Sequence, residues 1–174
     1  THVQYLGLNL FTTPGTTADG CFGKLTNDDH CYLGSPEVYQ DILRRSEIMR
    51  EAIDRVVVSE HWDRRPTTLK VFLAPEFYWR GAKGAYRLNE KLANASAFFM
   101  DQAASQLRQP RFKHWLFVLG TIITATRADP RWVQMSKLPF ESISYYNFAP
   151  VHIGGTDRMF LHFKHFISGI DFIQ

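Results

Sequence analysis

One carboxylate stands at the end of a short apolar run. Glu76 follows residues 69–74 (LKVFLA), which predict a strand buried on both faces, and three aromatic residues come next in the segment PEFYWRG. Ligands of α/β sheets bind at the carboxyl ends of strands. We expect the aromatic rings to desolvate this carboxylate, which suits a general base. The simpler interpretations are a helix cap or an ion pair with Arg80.

One ammonium lies in an apolar, aromatic strand near the end of the chain. Lys164 is the one lysine of residues 160–166 (FLHFKHF). A lysine in such a strand either faces solvent or is held in a pocket by a carboxylate. His162 and His165 flank it, and we interpret both as strand-surface residues. Since no third ligand with suitable spacing accompanies them, we expect no metal site.

Strand and helix patterns alternate along the chain. The predicted strands are 3–11, 69–74, 115–124 and a hairpin within 145–167, and the predicted helices are 35–60 and 87–108. Two loops, 12–34 and 126–142, are rich in turn-forming or polar residues. The alternation predicts an α/β fold, and the length of 174 residues predicts one domain spanning 1–174.

The charge balance and hydropathy exclude some classes of partner. Lys and Arg total 20 and Asp and Glu total 17, so the net charge is +3, which gives little support to nucleic-acid binding. No apolar run approaches the roughly 20 residues that cross a bilayer, so we expect no membrane association. No leader is visible before the first strand, and we expect a cytoplasmic protein. No dinucleotide-binding or Walker motif is present.

The two cysteines predict neither a disulfide scaffold nor a zinc site. Cys21 and Cys31 lie in a stretch rich in Gly, Thr and Asp, with only His30 beside them. We interpret them as free loop thiols in preference to one local disulfide.

Three stretches together resemble the nitrilase, or carbon–nitrogen hydrolase, superfamily. They are VFLAPEFYWRG at 71–81, WLFVLGTII at 115–123 and YYNFAPVHIGGTDRMFLHFKHF at 145–166. The resemblance covers essentially the whole chain. It implies an αββα sandwich, incomplete here at the C-terminus, a homo-oligomer, and neither a metal nor an organic cofactor.

The resemblance also implies a catalytic triad and a substrate class. Glu76 is expected to be the general base and Lys164 to stabilise the tetrahedral intermediate. A cysteine is expected to attack the carbon of a small nitrile or amide. Tyr78 and Trp79 are expected to form the pocket wall beside Glu76.

The expected nucleophile has no counterpart in its place in this chain. The resemblance puts the cysteine downstream of Lys164, whereas Cys21 and Cys31 precede Glu76, so neither is assigned to the triad. We therefore expect the nucleophile beyond the given chain, a truncated domain, and a sheet with one face uncovered. If Glu76 and Lys164 share a site, their side-chain ends should lie within a few ångströms of each other.

Two other functions remain open at this point. The first is a catalytically inactive nitrilase-like module that binds a partner or a small ligand. The second is a phosphoesterase of the endonuclease/exonuclease/phosphatase type, in which Asn9 and Glu76 would hold a magnesium ion. That class needs an Asp-His pair towards the C-terminus, which this sequence does not contain in a recognisable form.

Overall fold

A mixed sheet forms the centre of the fold. The computed structural model describes residues 2–10, 12, 32, 34–82, 84–87, 101, 104–127 and 143–165. These residues contain one long helix, α1 (Val38–Val58), and two 3₁₀ turns, Gln106–Arg108 and Pro110–Phe112. They also contain seven strands: β1 (His2–Gly7), β2 (Thr68–Leu73), β3 (Tyr86–Arg87), β4 (Trp115–Val118), β5 (Ile122–Arg127), β6 (Ile143–Ile153) and β7 (Met159–Phe163). The predicted α/β class is confirmed at this general level.

Glu76 and Lys164 follow different strands of the sheet. The strand order is β1-β2-β4-β6-β5-β3, and β7 pairs with β6. β1, β2 and β4 run parallel, whereas β6 runs antiparallel to β4, β5 and β7. Phe148 pairs with Ile122 of β5 and with Phe163 of β7, so these two strands lie on opposite edges of β6.

A bulge divides the strand that the sequence predicts over 115–124. Val118 pairs with Val151 and Ile122 pairs with Phe148, so three residues of one strand lie opposite two residues of β6. Gly120 is at the centre of this bulge with a φ of +79°. A Cβ atom there would lie 2.5 Å from the Cβ of Tyr78 and 2.7 Å from the carbonyl oxygen of Pro75. Glycine therefore lets the segment that carries Glu76 pass close to the bulge.

Helix α1 covers one face of the sheet. Its buried residues recur at helical spacing: Asp41, Ile42, Arg45, Met49 and Ile53. The apolar ones share a core cluster with Phe72 and Phe117, which pair across β2 and β4. The helix begins at Val38, three residues after the predicted start, because the backbone of Glu37 is extended. No helix in the part of the chain that the structure describes has the length and apolar character needed to cross a membrane.

The opposite face of the sheet is apolar and partly open. Side chains alternate along each strand, so Val3 and Tyr5 of β1 and Phe160 of β7 lie on the face away from α1. They are 50%, 69% and 57% exposed. All five side chains of β7 are exposed. An open apolar face agrees with the expectation drawn from the sequence.

Some predicted elements differ from the structure or lie outside it. The helix predicted over 87–108 begins with a strand residue, because Tyr86 and Arg87 pair with β5 as β3. The predicted hairpin is present as β6 and β7, and Pro150 is accommodated opposite the bulge, where its carbonyl accepts a hydrogen bond from Leu119. Outside the described residues lie most of the 12–34 loop, Cys21, Cys31, residues 88–100, 128–142 and 166–174.

Replacing the bulge glycine should destabilise the fold. Gly120→Ala forces a left-handed backbone on alanine and a steric overlap with Pro75 and Tyr78, so we expect a loss of about 3 kcal/mol in the free energy of unfolding. Urea denaturation measures this loss. Gly7→Ala is the matched control, since no atom lies within 4 Å of its added Cβ and its change should stay within about 0.5 kcal/mol. Equal effects of the two substitutions would contradict the steric account.

A buried histidine should make stability depend on pH. His152 is 1% exposed beside Phe117, and burial together with nearby Arg108 lowers its pKa below 6.5. The unfolded chain then binds the proton first, so the free energy of unfolding falls as pH drops below about 6.5. The slope is at most about 1.4 kcal/mol per pH unit. Urea denaturation from pH 8 to 5 should show a smaller slope for His152→Phe than for the wild-type chain, and His61→Gln is the control substitution at an exposed position.

Candidate active site

A constrained turn carries Glu76. The chain leaves β2, turns at Pro75 and Glu76, and rejoins the sheet at Trp79, whose backbone bridges Ile122. Within the turn, the backbone N–H of Phe77 donates to Oγ1 of Thr121 at 2.7 Å, and Phe77 has a φ of +60°. A non-glycine residue in this region is strained and persists only when its surroundings hold it. The backbone of Glu76 is therefore fixed on both sides.

Glu76 and Lys164 meet across the sheet. The Nζ atom of Lys164 lies 3.2 Å from Oε1 of Glu76. The backbone N–H of Lys164 donates to the carbonyl oxygen of Asn147 at 2.9 Å, which extends the β6–β7 ladder by one residue. Because β4 and β6 lie between β2 and β7, this contact crosses a face of the sheet rather than joining neighbouring strands. The short distance expected from the sequence is present.

The pair combines a proton acceptor with a fixed positive charge. The side chains of Lys164 and Glu76 are 32% and 53% exposed, so a small molecule can reach both from solvent. A carboxylate accepts a proton from a nucleophile, and an ammonium beside it stabilises negative charge that develops on a reacting atom. The desolvation of Glu76 that the flanking aromatic residues suggest is not found, since half of this side chain meets solvent.

Tyr78 and Trp79 do not form the pocket wall expected from the resemblance. Tyr78 is 0% and Trp79 is 3% exposed, and both belong to the core. The Tyr78 hydroxyl donates to the carbonyl oxygen of Arg45 at 2.6 Å, and Nε1 of Trp79 donates to that of Leu119 at 2.7 Å. Because their polar atoms bond to the backbone of the helix and the bulge, these two rings anchor the turn. Phe77 is half-buried and is the aromatic residue of this segment that remains near the surface.

A buried ion pair ties the turn to helix α1. Nε of Arg45 donates to Oδ2 of Asp41 at 2.7 Å, and Nη2 of Arg45 donates to the carbonyl oxygen of Arg80 at 2.5 Å. Tyr86 donates its hydroxyl to the same carboxylate. Burial raises the pKa of Tyr86 well above 10, so the hydroxyl keeps the proton that it donates. Sequence reasoning missed this cluster, although Asp41 and Arg45 stand four residues apart on the apolar stripe of the helix.

The geometry gives less support to a magnesium site. Asn9 is exposed and follows β1, and Glu76 follows the neighbouring parallel strand β2. Both residues therefore lie at the carboxyl ends of these strands. The carboxylate of Glu76 is, however, in contact with an ammonium, which repels a divalent cation. Among the described residues, no group of three or more His, Cys, Asp or Glu side chains could hold a metal ion.

Breaking the buried pair should loosen the turn. Arg45→Met leaves the carboxylate of Asp41 buried without its charge partner, and we expect a loss of about 3–5 kcal/mol in the free energy of unfolding. Arg44→Met is the matched control on the same helix, because Arg44 pairs with Glu47 at the surface. Its effect should be within about 0.5 kcal/mol. Urea denaturation measures the free energy of unfolding of both variants. Similar losses in the two would show that the buried pair does not hold the turn against α1.

The comparisons with known proteins leave the chain without an assigned family. No protein-family model, no curated protein and no solved structure matches it. The functional interpretation therefore depends on the residues and their geometry.

Proposed function

We propose that Glu76 and Lys164 belong to the active site of a hydrolase that cleaves carbon–nitrogen bonds in small amides or nitriles. The observation that carries the proposal is the 3.2 Å contact between two side chains that lie 88 residues apart in the sequence. The motifs that resemble the nitrilase superfamily supply the assignment of roles.

Each residue has a defined role in this reaction. A cysteine thiol transfers its proton to Glu76 as the sulfur attacks the substrate carbon. The negative charge that forms on the amide oxygen, or on the nitrile nitrogen, faces Lys164. With an amide, the C–N bond then breaks and the proton held by Glu76 leaves with ammonia. Water attacks the thioester, which releases the acid and restores the thiol.

The nucleophile in this proposal is a cysteine downstream of Lys164 and outside the 174 residues. Cys21 and Cys31 both precede Glu76 and are not assigned this role. The proposed fold is half of an αββα sandwich, in which α1 covers one face of the sheet. The exposed apolar side chains Val3, Tyr5 and Phe160 on the other face support a second layer there.

Ammonia release by the complete gene product tests the proposal. We expect hydrolysis of benzamide or benzonitrile, and a decrease in kcat/KM of at least about 100-fold in Glu76→Gln and in Lys164→Met. Both side chains are partly exposed, so both variants should keep the wild-type circular dichroism spectrum. His162→Gln is the control, since His162 is an exposed residue on β7.

Three outcomes would contradict the proposal. The first is the absence of ammonia release from every amide and nitrile tested, which favours a binding module. The second is unchanged kcat/KM in both site variants. The third is loss of activity on chelation of divalent cations, which favours the magnesium-dependent alternative with Asn9 and Glu76.

A further inference from the structure

Asn147 lies beside the Glu76–Lys164 pair on the same face of the sheet. In the antiparallel ladder it pairs with Ile123 of β5 on one side, and its carbonyl oxygen accepts the backbone hydrogen bond of Lys164 on the other. Directly opposed residues of antiparallel strands place their side chains on one face, about 5 Å apart. The Asn147 amide is therefore a close neighbour of the Lys164 side chain.

The side chain of Asn147 is buried without a hydrogen-bond partner. The residue is 6% exposed, and neither Oδ1 nor Nδ2 has a partner in the part of the chain that the structure describes. A buried amide that forms no hydrogen bond destabilises a protein, and an apolar side chain of the same size would not. The amide lies at the candidate site, next to an ion pair that is open to solvent. A bound ligand could supply the hydrogen bonds that the folded chain does not.

The chemistry of an unpaired amide selects among the ligands of the proposed site. Asparagine offers one carbonyl acceptor and two N–H donors. A primary carboxamide is complementary to it, because its N–H can donate to Oδ1 while its carbonyl oxygen accepts from Nδ2. A nitrile offers a single acceptor nitrogen and leaves Oδ1 unpaired. A site built to pair both groups therefore discriminates against the nitrile.

We propose that Asn147 binds the carboxamide group of the substrate and makes the site prefer primary carboxamides to the corresponding nitriles. Oδ1 accepts a substrate N–H, Nδ2 donates to the substrate carbonyl oxygen, and Lys164 approaches the same oxygen from the neighbouring strand. The inference rests on the proposed function, since it names the substrate class of that site.

A binding experiment on the complete gene product tests the inference separately from turnover. The probes are benzamide and benzonitrile, which share one ring, titrated at millimolar concentration into ¹⁵N-labelled protein. The side-chain NH₂ signals of Asn147 are identified by their loss in Asn147→Leu. We expect benzamide to shift these signals and to bind at least about tenfold more tightly than benzonitrile. Asn147→Leu should remove this preference.

Two variants separate ligand binding from a structural role. Asn147→Leu replaces an unpaired amide by an apolar group of similar size, so its midpoint of urea denaturation should rise. Thr124→Val is the control, because Thr124 pairs with Tyr146 on the opposite face of the same strands and should leave the preference unchanged. A lower midpoint in Asn147→Leu would mean that the amide bonds within the protein, and this would overturn the inference.

The remaining outcomes distinguish the inference from the proposed function. Equal affinities of the two probes for the wild-type chain, or binding of neither probe, would overturn the role of Asn147. If the complete gene product releases ammonia but Asn147→Leu keeps the amide-to-nitrile ratio of kcat/KM, hydrolysis stands and the inference fails. If benzamide binds at Asn147 but no ammonia is released, the site is an amide-binding site and the proposed hydrolysis fails.

Discussion

The close passage of the Pro75–Trp79 turn over the bulge at Gly120 is the constraint on which the candidate site depends. Hydrogen bonds join the two segments at Phe77 with Thr121 and at Trp79 with Thr121 and Leu119. The bulge adds one residue to the strand, which bends it, and glycine removes the Cβ that would occupy the space of the turn. The carboxylate of Glu76 thus takes its position from backbone geometry, and the half-exposed contact with Lys164 is a consequence of that geometry.

Two ion pairs in this protein have opposite environments and different effects. Asp41 and Arg45 are buried. Asp41 also accepts a hydrogen bond from Tyr86, and Arg45 donates one to the backbone carbonyl oxygen of Arg80. Removal of one partner of the pair therefore leaves the other charge in a medium that cannot solvate it. Glu76 and Lys164 remain in contact with solvent, which screens them and keeps both chemically accessible. The buried pair holds the turn against α1, and the exposed pair is left available for chemistry.

Local sequence patterns predict the parts of this fold that short-range physics determines. The apolar run before Glu76 predicts the end of β2, and the turn residues between β6 and β7 predict the hairpin. Together these two elements bring Lys164 to Glu76. The bulge at Gly120 was not predictable, because the residues on both sides of it form one continuous apolar run. The orientation of Tyr78 and Trp79 also escaped prediction, since adjacent aromatic residues fit a pocket wall and a core equally well. Asn147 carries a weak signal, a single amide among aromatic and apolar residues of a strand.

The one-residue extension of the β6–β7 ladder couples the candidate site to the end of an exposed strand. Among the described residues, the last hydrogen bond of that ladder joins Lys164 to Asn147, and every side chain of β7 meets solvent, so little apolar burial resists opening there. Strand ends with few buried contacts open locally with a small free energy, far below that of global unfolding. An opening of this strand end would separate the ammonium from Glu76 and leave the core under α1 folded. A ligand that bridges β6 and the turn at Glu76 would therefore stabilise the closed hairpin.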